Sequence, residues 1–165
     1  MEIKFYPDPI LRVKTKPIKN INPEIKKIIS KMSEIMQQKD GAGLAGPQVG
    51  ITQQIFLADD GSGLKIFINP KIIWRSDKQT VIEEGCLSFP GIFLEIKRPK
   101  EIKIKFTNEK GEEKEIQADG LLARIIQHEY DHLQGVLFID RVGLFEKLKI
   151  RKKLESLEKV FKPSV

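Results

Sequence analysis

The spacing of apolar residues changes twice along the chain, and this change limits the possible folds more than any other feature. Between Pro23 and Gly41, apolar residues recur every three or four positions, as on one face of a helix. Between residues 42 and 118 they form short runs and alternating patterns, which are typical of strands. After Asp119 the helical spacing returns. This order predicts an α+β fold rather than a regular βαβ alternation.

Capping residues indicate where the predicted helices begin and end. The N-terminal helix begins after Asn22 and ends at Gly41, and the second helix runs from an Asp119 cap to Gly135. A basic C-terminal helix is predicted over about residues 143–162. The residues expected to face the core are Ile25, Ile28, Ile29, Met32, Ile35, Met36, Leu121, Leu122, Ile125, Ile126, Leu133, Ile150, Leu154, Leu157 and Phe161.

The middle of the chain contains two kinds of predicted strand. Short apolar runs separated by turn-forming residues indicate three buried strands, at 55–57, 66–68 and 72–74. Residues 102–106 alternate between apolar and charged side chains, which is typical of a strand with one wet face. A turn at 108–111 then predicts that residues 112–118 pair back as a hairpin.

The composition is that of an ordinary globular chain and limits the expected domain number, partners and cellular location. At 165 residues, with 40% hydrophobic and 32% charged residues, one domain spanning 1–165 is expected. No apolar run approaches the roughly 18 residues of a membrane span, so no membrane partner is expected. The single cysteine rules out an internal disulfide, and the first residues lack a secretory signal pattern. A reducing cytoplasm is the expected location.

The chain has only two histidines, His128 and His132, with Glu129 between them. Residues four apart share one face of a helix, so both imidazoles can reach one metal ion. Glu129 lies on the adjacent edge, where its carboxylate can contact a water at that ion. The spacing therefore predicts a metal site on the second helix.

Two histidines do not complete such a site, because a catalytic metal usually takes three protein ligands and an open position. A downstream carboxylate, Glu146 or Glu155, would give a zinc endopeptidase of the HExxH type. The lone thiol of Cys86, beside a tight turn at Gly85, is the favoured alternative. A third interpretation is a basic RNA-associated module with a structural metal, but such a site needs four protein ligands.

A glycine-rich segment covers residues 41–50 and contains Gln48. It lacks the Lys-Ser/Thr ending of a phosphate-binding loop. Exposed backbone groups in such a loop can hold a peptide-like chain, and the Gln48 amide can donate to an oxygen that develops negative charge.

Together, GAGLAGPQVG, EGCLS and QHEYDHLQG resemble, in order and spacing, the three signature motifs of peptide deformylases. The resemblance extends from Asp8 through the C-terminal helix and departs at Gly46, where the family most often has Ala. It implies short, mostly antiparallel strands around a central metal-binding HExxH helix, with an N-terminal and a C-terminal helix. It also implies hydrolytic removal of the formyl group from the N-formylmethionine of nascent polypeptides, with release of formate.

The resemblance also implies roles for individual residues. The implied metal ligands are Cys86, His128 and His132, and the implied general acid/base is Glu129. Gln48 and the backbone amide of Leu87 would stabilise the oxyanion, and Glu84 would pair with Arg98 to support the cysteine loop. The implied substrate contacts are Gly43, Ala42, Ile82, Leu121, Arg124 and Ile125. Ala42 is smaller than the family's usual Ile or Val, and Arg124 often corresponds to an apolar residue.

The implied cofactor is one divalent metal ion. The resemblance points to Fe(II) in the cell, and a thiolate ligand also suits Zn, Ni or Co in purified protein.

Basic residues concentrate near the C-terminus. Between Leu144 and Lys162 there are seven basic residues against three acidic ones, within a net charge of +6. Such a run can contact a polyanion, but charge alone gives only non-specific binding. With the resemblance, it predicts contact between the C-terminal helix and the ribosome, with no DNA partner.

Overall fold

The computed structural model describes residues 1–161. Three α-helices and seven strands follow the predicted order of helix, strands and helices, which confirms the α+β class. They are α1 (Pro23–Gln38), β1 (Gly43–Ala45), β2 (Ile55–Ala58), β3 (Lys65–Arg75), β4 (Gln79–Gly85), β5 (Phe93–Pro99), β6 (Ile102–Thr107), β7 (Glu113–Ala118), α2 (Gly120–Leu133) and α3 (Leu144–Val160). Short 3-10 turns lie at Pro9–Arg12, Gly46–Val49 and Phe138–Arg141.

The strands form two antiparallel sheets. Five strands pair in the order β1-β2-β3-β6-β7, and β4 and β5 form a separate two-stranded hairpin. The β6–β7 hairpin pairs Ile102 with Ala118 and Thr107 with Glu113, as the alternating pattern predicts. Helix α2 packs against β1 and β2. The site residues that follow β4 therefore face a helix held by the larger sheet.

Helix α1 begins as its sequence predicts. The Asn22 side chain accepts a hydrogen bond from the Ile25 backbone N–H at 3.0 Å, which satisfies one of the free donors of the first turn. Its buried face packs with β1, β2 and β3 in one apolar cluster. The helix ends at Gln38, shortly before the predicted Gly41.

The two predicted strands at 66–68 and 72–74 are one strand, β3, which corrects the sequence interpretation. A register shift between Ile68 and Lys71 joins the two runs, and Asn69 has a φ of +49° there. The Asn69 side chain accepts from the N–H of Ile18 at 2.8 Å and donates to its C=O at 2.7 Å. The second run is not fully buried, since Ile73 and Trp74 are about two-fifths exposed.

Helix α2 differs from its prediction in its first turn. Asp119 occupies the cap position, but its side chain makes no capping bond. Leu121 is 55% exposed rather than in the core, because it lines the open cavity. Gly135 follows the helix with a φ of +71°, and a Cβ there would collide with the carbonyl oxygen of Arg12.

Helix α3 packs its predicted apolar stripe inward and presents its other faces to solvent. Ile150 and Leu157 are buried, with Leu154 and Phe161 packed against the same cluster. The helix ends at Val160, and Lys162 of the predicted range lies outside the described residues. Among residues 1–161, none of the helices combines the length and the apolar character needed to cross a bilayer.

Candidate metal centre and active site

Strand β4 and helix α2 bring one cysteine and two histidines together. Cys86 directly follows β4, and His128 and His132 lie one turn apart on α2. One potential ligand atom from each of the three lies within 4.8 Å of the others. The Cys86 Sγ is 3.4 Å from Nε2 of His132, and both histidines are buried. The three residues predicted as ligands thus meet at one point.

The chemistry of this cluster fits a soft divalent cation. A thiolate and two imidazoles are ligands that Fe(II), Zn, Co and Ni accept, and three protein ligands leave a position open. Two buried side-chain polar atoms within residues 1–161 have no hydrogen-bond partner, Glu129 Oε2 and His132 Nδ1. Both belong to this site. Because buried polar groups are almost always paired, the free Glu129 Oε2 fits a site that a bound group completes, whereas His132 faces Cys86 with its other nitrogen, Nε2.

The pKa values of the two histidines shift in opposite directions. Burial, followed by the charge of His128, lowers the pKa of His132 well below its ordinary value, which favours the neutral imidazole that a metal requires. Burial also lowers the pKa of His128, but hydrogen bonds with Cys86 and Glu84 outweigh it and raise that pKa. These two bonds therefore favour the protonated imidazole at His128 in the metal-free protein, and a metal that binds there displaces that proton.

Glu84 is the anionic centre behind the cluster. Its Oε2 lies 2.8 Å from His128 Nδ1, so the other ring nitrogen of His128 is left for the cluster. Arg98 donates to both carboxylate oxygens, from Nε at 2.6 Å and from Nη2 at 3.0 Å. Burial alone would raise the pKa of Glu84, but the bonds with His128 and Arg98 hold it well below its usual range. Glu84 therefore stays ionised.

The ionic network continues from Arg98 to residues that the sequence interpretation missed. Arg98 Nη1 donates to Asp131 at 2.8 Å, and Arg141 Nε donates to the same carboxylate at 3.0 Å. Asp131 is buried on α2, three residues after His128. An acidic residue on the buried face of a helix was the one signal that could have identified it.

Glu129 is buried beside the cluster, as the HExxH spacing predicts. It is 4% exposed, and burial raises its pKa to about 7. Its carboxylate lies against Gly43 of β1, where a Cβ would be only 2.8 Å from Glu129 Cγ. A side chain at position 43 would therefore displace this carboxylate. A carboxyl group with a pKa near neutrality can both take up and release a proton.

Gln48 is fully buried with its amide nitrogen turned toward the cysteine. The side-chain oxygen accepts from the Ala45 N–H at 2.8 Å, which fixes the orientation of the amide. Its Nε2 lies 3.4 Å from Cys86 Sγ and 3.3 Å from Ser88 Oγ. The amide hydrogens therefore point into the site.

A cavity of about 760 Å³ opens over the cluster. Of the predicted substrate contacts, five line it: Ala42, Gly43, Leu121, Arg124 and Ile125. Ile82 does not line the cavity, and its contact with substrate remains a prediction. The wall formed by β4 begins at Glu83, so Ile82 lies just beyond the cavity edge and is 39% exposed. Phe5 and Phe161 also line the cavity, and their rings stack at 4.2 Å between centroids.

The carboxylates that an HExxH endopeptidase would need lie elsewhere. Glu146 and Glu155 are on α3, where each accepts from a basic side chain at 2.8 Å, Lys149 and Arg151 respectively. Neither belongs to the ligand cluster found within residues 1–161. The geometry therefore does not favour the endopeptidase alternative.

Comparisons with known proteins agree with this geometry. The polypeptide deformylase family profile matches residues 1–148. The peptide deformylase of Thermotoga maritima is 47% identical over 160 residues, which cover 97% of this chain and 98% of that protein. A crystal structure of the Thermotoga maritima enzyme matches with a TM-score of 0.84 and 48% identity, covering 86% of this chain and 97% of that chain.

A plant structure extends the match. The crystal structure of Arabidopsis thaliana peptide deformylase 1B in complex with an inhibitor has a TM-score of 0.92 and 45% identity, covering 98% of this chain and 92% of that chain. These matches span nearly the whole sequence, including the segments that carry the cysteine, the two histidines and Gln48. The chain therefore belongs to the polypeptide deformylase family.

Proposed function

We propose that this chain is a metal-dependent hydrolase that removes the formyl group from the N-formylmethionine of nascent polypeptides and releases formate. The observation that carries the proposal is the buried Glu129 carboxyl beside a Cys-His-His cluster at the floor of a cavity. Family membership over nearly the whole chain supports the same activity. The single domain over residues 1–165 and a cytoplasmic location remain predictions.

Cys86, His128 and His132 would hold one divalent metal ion. When bound, the ion polarises the formyl carbonyl and lowers the pKa of water at the site toward 7. Glu84 keeps the His128 ring oriented through Nδ1, and Arg98 keeps Glu84 ionised and in place. A thiolate ligand favours Fe(II), Zn, Ni or Co over Mg. We assign Fe(II) as the metal in the cell from the family resemblance, with Zn, Ni or Co as replacements in purified protein.

Glu129 moves the proton during the reaction. Its carboxylate takes a proton from the attacking water and later delivers it to the leaving amine, and a pKa of about 7 suits both steps. Because Oε2 has no partner among the described residues, it is free to accept that proton. The backbone at Gly43 lies against the carboxylate and limits its movement.

Gln48 and the Leu87 backbone amide are proposed to stabilise the oxyanion. The bond from the Ala45 N–H fixes the Gln48 amide, and its Nε2 would exchange its long contact with Cys86 Sγ for a bond to the oxyanion. A fixed donor aimed at developing negative charge contributes about 3 to 4 kcal/mol in well-studied enzymes. Gly43 would hold the peptide by its backbone, and Ala42, Leu121, Ile125 and the stem of Arg124 would contact the methionine side chain.

The basic face of α3 is proposed to contact the ribosome. Its lysines and arginines are exposed, and ribosomal RNA is a polyanion. The described end of α3 also borders the cavity through Phe161. Binding on this face would therefore place the cavity near an emerging chain.

The activity is tested with peptides that differ only at the N-terminus. Anaerobically purified enzyme loaded with Fe(II) is incubated with formyl-Met-Ala-Ser, acetyl-Met-Ala-Ser and a longer unformylated peptide. We expect formate and free Met-Ala-Ser from the first substrate, with turnover of the acetylated peptide at least 100-fold slower. Cleavage of internal peptide bonds without formate release would contradict the proposal and favour the endopeptidase.

A further inference from the structure

The Glu84 carboxylate receives a second arginine besides Arg98. This second arginine is Arg124, which lies on α2 one turn before His128 and is 5% exposed. Its Nη1 donates to Glu84 Oε1 at 3.0 Å. The resemblance implied for Arg124 only a contact with the substrate. Its guanidinium instead binds Glu84.

The guanidinium of Arg124 is fixed by both strands of the small sheet. Nη1 also donates to the Ile96 carbonyl of β5 at 2.7 Å, and Nη2 donates to the Thr80 carbonyl of β4 at 2.9 Å. The Thr80 hydroxyl accepts a further bond at 3.1 Å. A buried guanidinium with this many oriented acceptors has a single position. Arg124 therefore connects α2 to β4 and β5 directly above Glu84.

The bonds to Glu84 show what this connection controls. Oε1 accepts from Arg98 Nε and Arg124 Nη1, whereas Oε2 accepts from Arg98 Nη2 and pairs with His128 Nδ1. Arg124 and His128 thus hold the two carboxylate oxygens from the same helix. Without Arg124, the carboxylate would keep one bidentate partner from β5 and lose its second tie to α2.

We propose that Arg124 is a positioning residue for the metal centre. It holds Glu84 in the orientation that keeps His128 Nδ1 occupied and the other ring nitrogen available to the metal. The inference rests on the proposed ligand set of Cys86, His128 and His132. It goes beyond that set because it predicts that a residue with no bond to a ligand controls how tightly the metal is held.

The test measures metal binding as well as turnover. Arg124→Met keeps the stem that lines the cavity and removes the guanidinium. Apo-protein is titrated with Co(II) against a competing chelator, and the visible spectrum of the cobalt form is recorded. We expect 10- to 100-fold weaker Co(II) binding and an altered cobalt spectrum. With saturating Fe(II), we expect kcat for formyl-Met-Ala-Ser to fall while its KM stays within about threefold.

An effect on KM without an effect on metal binding would overturn the proposal. Wild-type cobalt affinity and spectrum with a raised KM would make Arg124 a pocket wall only. Arg124→Lys keeps the positive charge but cannot reach Glu84, Thr80 and Ile96 together. We expect at least tenfold weaker Co(II) binding from it, and wild-type affinity would contradict the inference. If Arg124→Met does not fold, this second variant decides the question.

Two further variants separate the possible failures. Ile104→Ala removes a fully buried side chain of β6, so it lowers stability without touching Glu84 or its partners. We expect Ile104→Ala to bind Co(II) as the wild type does, and weakened binding would mean that metal affinity follows stability alone. Cys86→Ala tests the ligand set itself. Wild-type Co(II) binding by Cys86→Ala would overturn that set, whatever Arg124 does.

Discussion

Helices α2 and α3 are similar in length but place their charged residues in opposite environments. On α2, Arg124, Glu129 and Asp131 are all at most 6% exposed. On α3, the ion pairs Lys149–Glu146 and Arg151–Glu155 are about half exposed or more. A buried charge is costly unless it is paired or held for function, whereas a solvated charge costs little. The charges of α2 therefore organise the site, and those of α3 are available to a partner.

The largest effect is expected from Glu129→Gln, which removes a titratable group from α2 and keeps its shape. The variant should bind the metal, because none of the proposed ligands changes, and kcat should fall 10²- to 10⁴-fold. Formate release and metal content are measured on the same preparation. Glu155→Gln is the matched control, because it makes the same substitution at an exposed position on α3. It should keep full turnover. Near-native turnover by Glu129→Gln would contradict the proton-transfer role.

Asp131→Asn is expected to have the next largest effect, this time on stability. Arg98 keeps its pair with Glu84 but loses the second, buried carboxylate that it shares with Arg141, and breaking a buried ion pair costs about 3 kcal/mol. Urea unfolding of the metal-free protein gives the free-energy change. Asp140→Asn is the matched control, because its pair with Arg12 is partly exposed and contributes about 1 kcal/mol or less. Equal losses of unfolding free energy in the two variants would mean that burial does not determine the cost of breaking an ion pair.

Local sequence rules predicted much of the fold. The Asn22 cap, the β6–β7 hairpin and the apolar stripe of α3 follow from residues close to one another in sequence. The bulge at Asn69 was missed because it depends on two hydrogen bonds to Ile18, about fifty residues away. Leu121 was misplaced because helical periodicity does not show which apolar residues line an open cavity instead of the core.

The same limit applies to the site. The spacing of His128 and His132 identified the metal face of α2, because positions four apart share a helix face. The meeting of that face with Cys86 is a long-range contact, so the residues alone left Glu146 and Glu155 open as alternatives. The bonds of Arg124 to β4 and β5 and the pairing of Asp131 with Arg141 leave no local pattern. Side-chain partners on different helices and strands can be identified only when the fold is known.

The smallest effect on the folded protein is expected from the exposed charges of α3. Lys147→Gln with Lys152→Gln removes two side chains that form no ion pair within residues 1–161, so stability should change by no more than about 0.5 kcal/mol. Ribosome binding should weaken, and the slope of log affinity against log salt should fall by about 2, or about 1 per lost phosphate contact. Sedimentation with ribosomes over a salt series measures both quantities.

Lys26→Gln with Lys27→Gln on α1 is the matched control, because it removes the same charge from another exposed helix face. If the two double variants lose ribosome affinity equally, the attraction comes from the net charge of +6 rather than from α3. Loss confined to the α3 variant would assign the contact to that helix. The difference between the two slopes therefore decides whether the exposed charges of α3 bind the ribosome or only contact solvent.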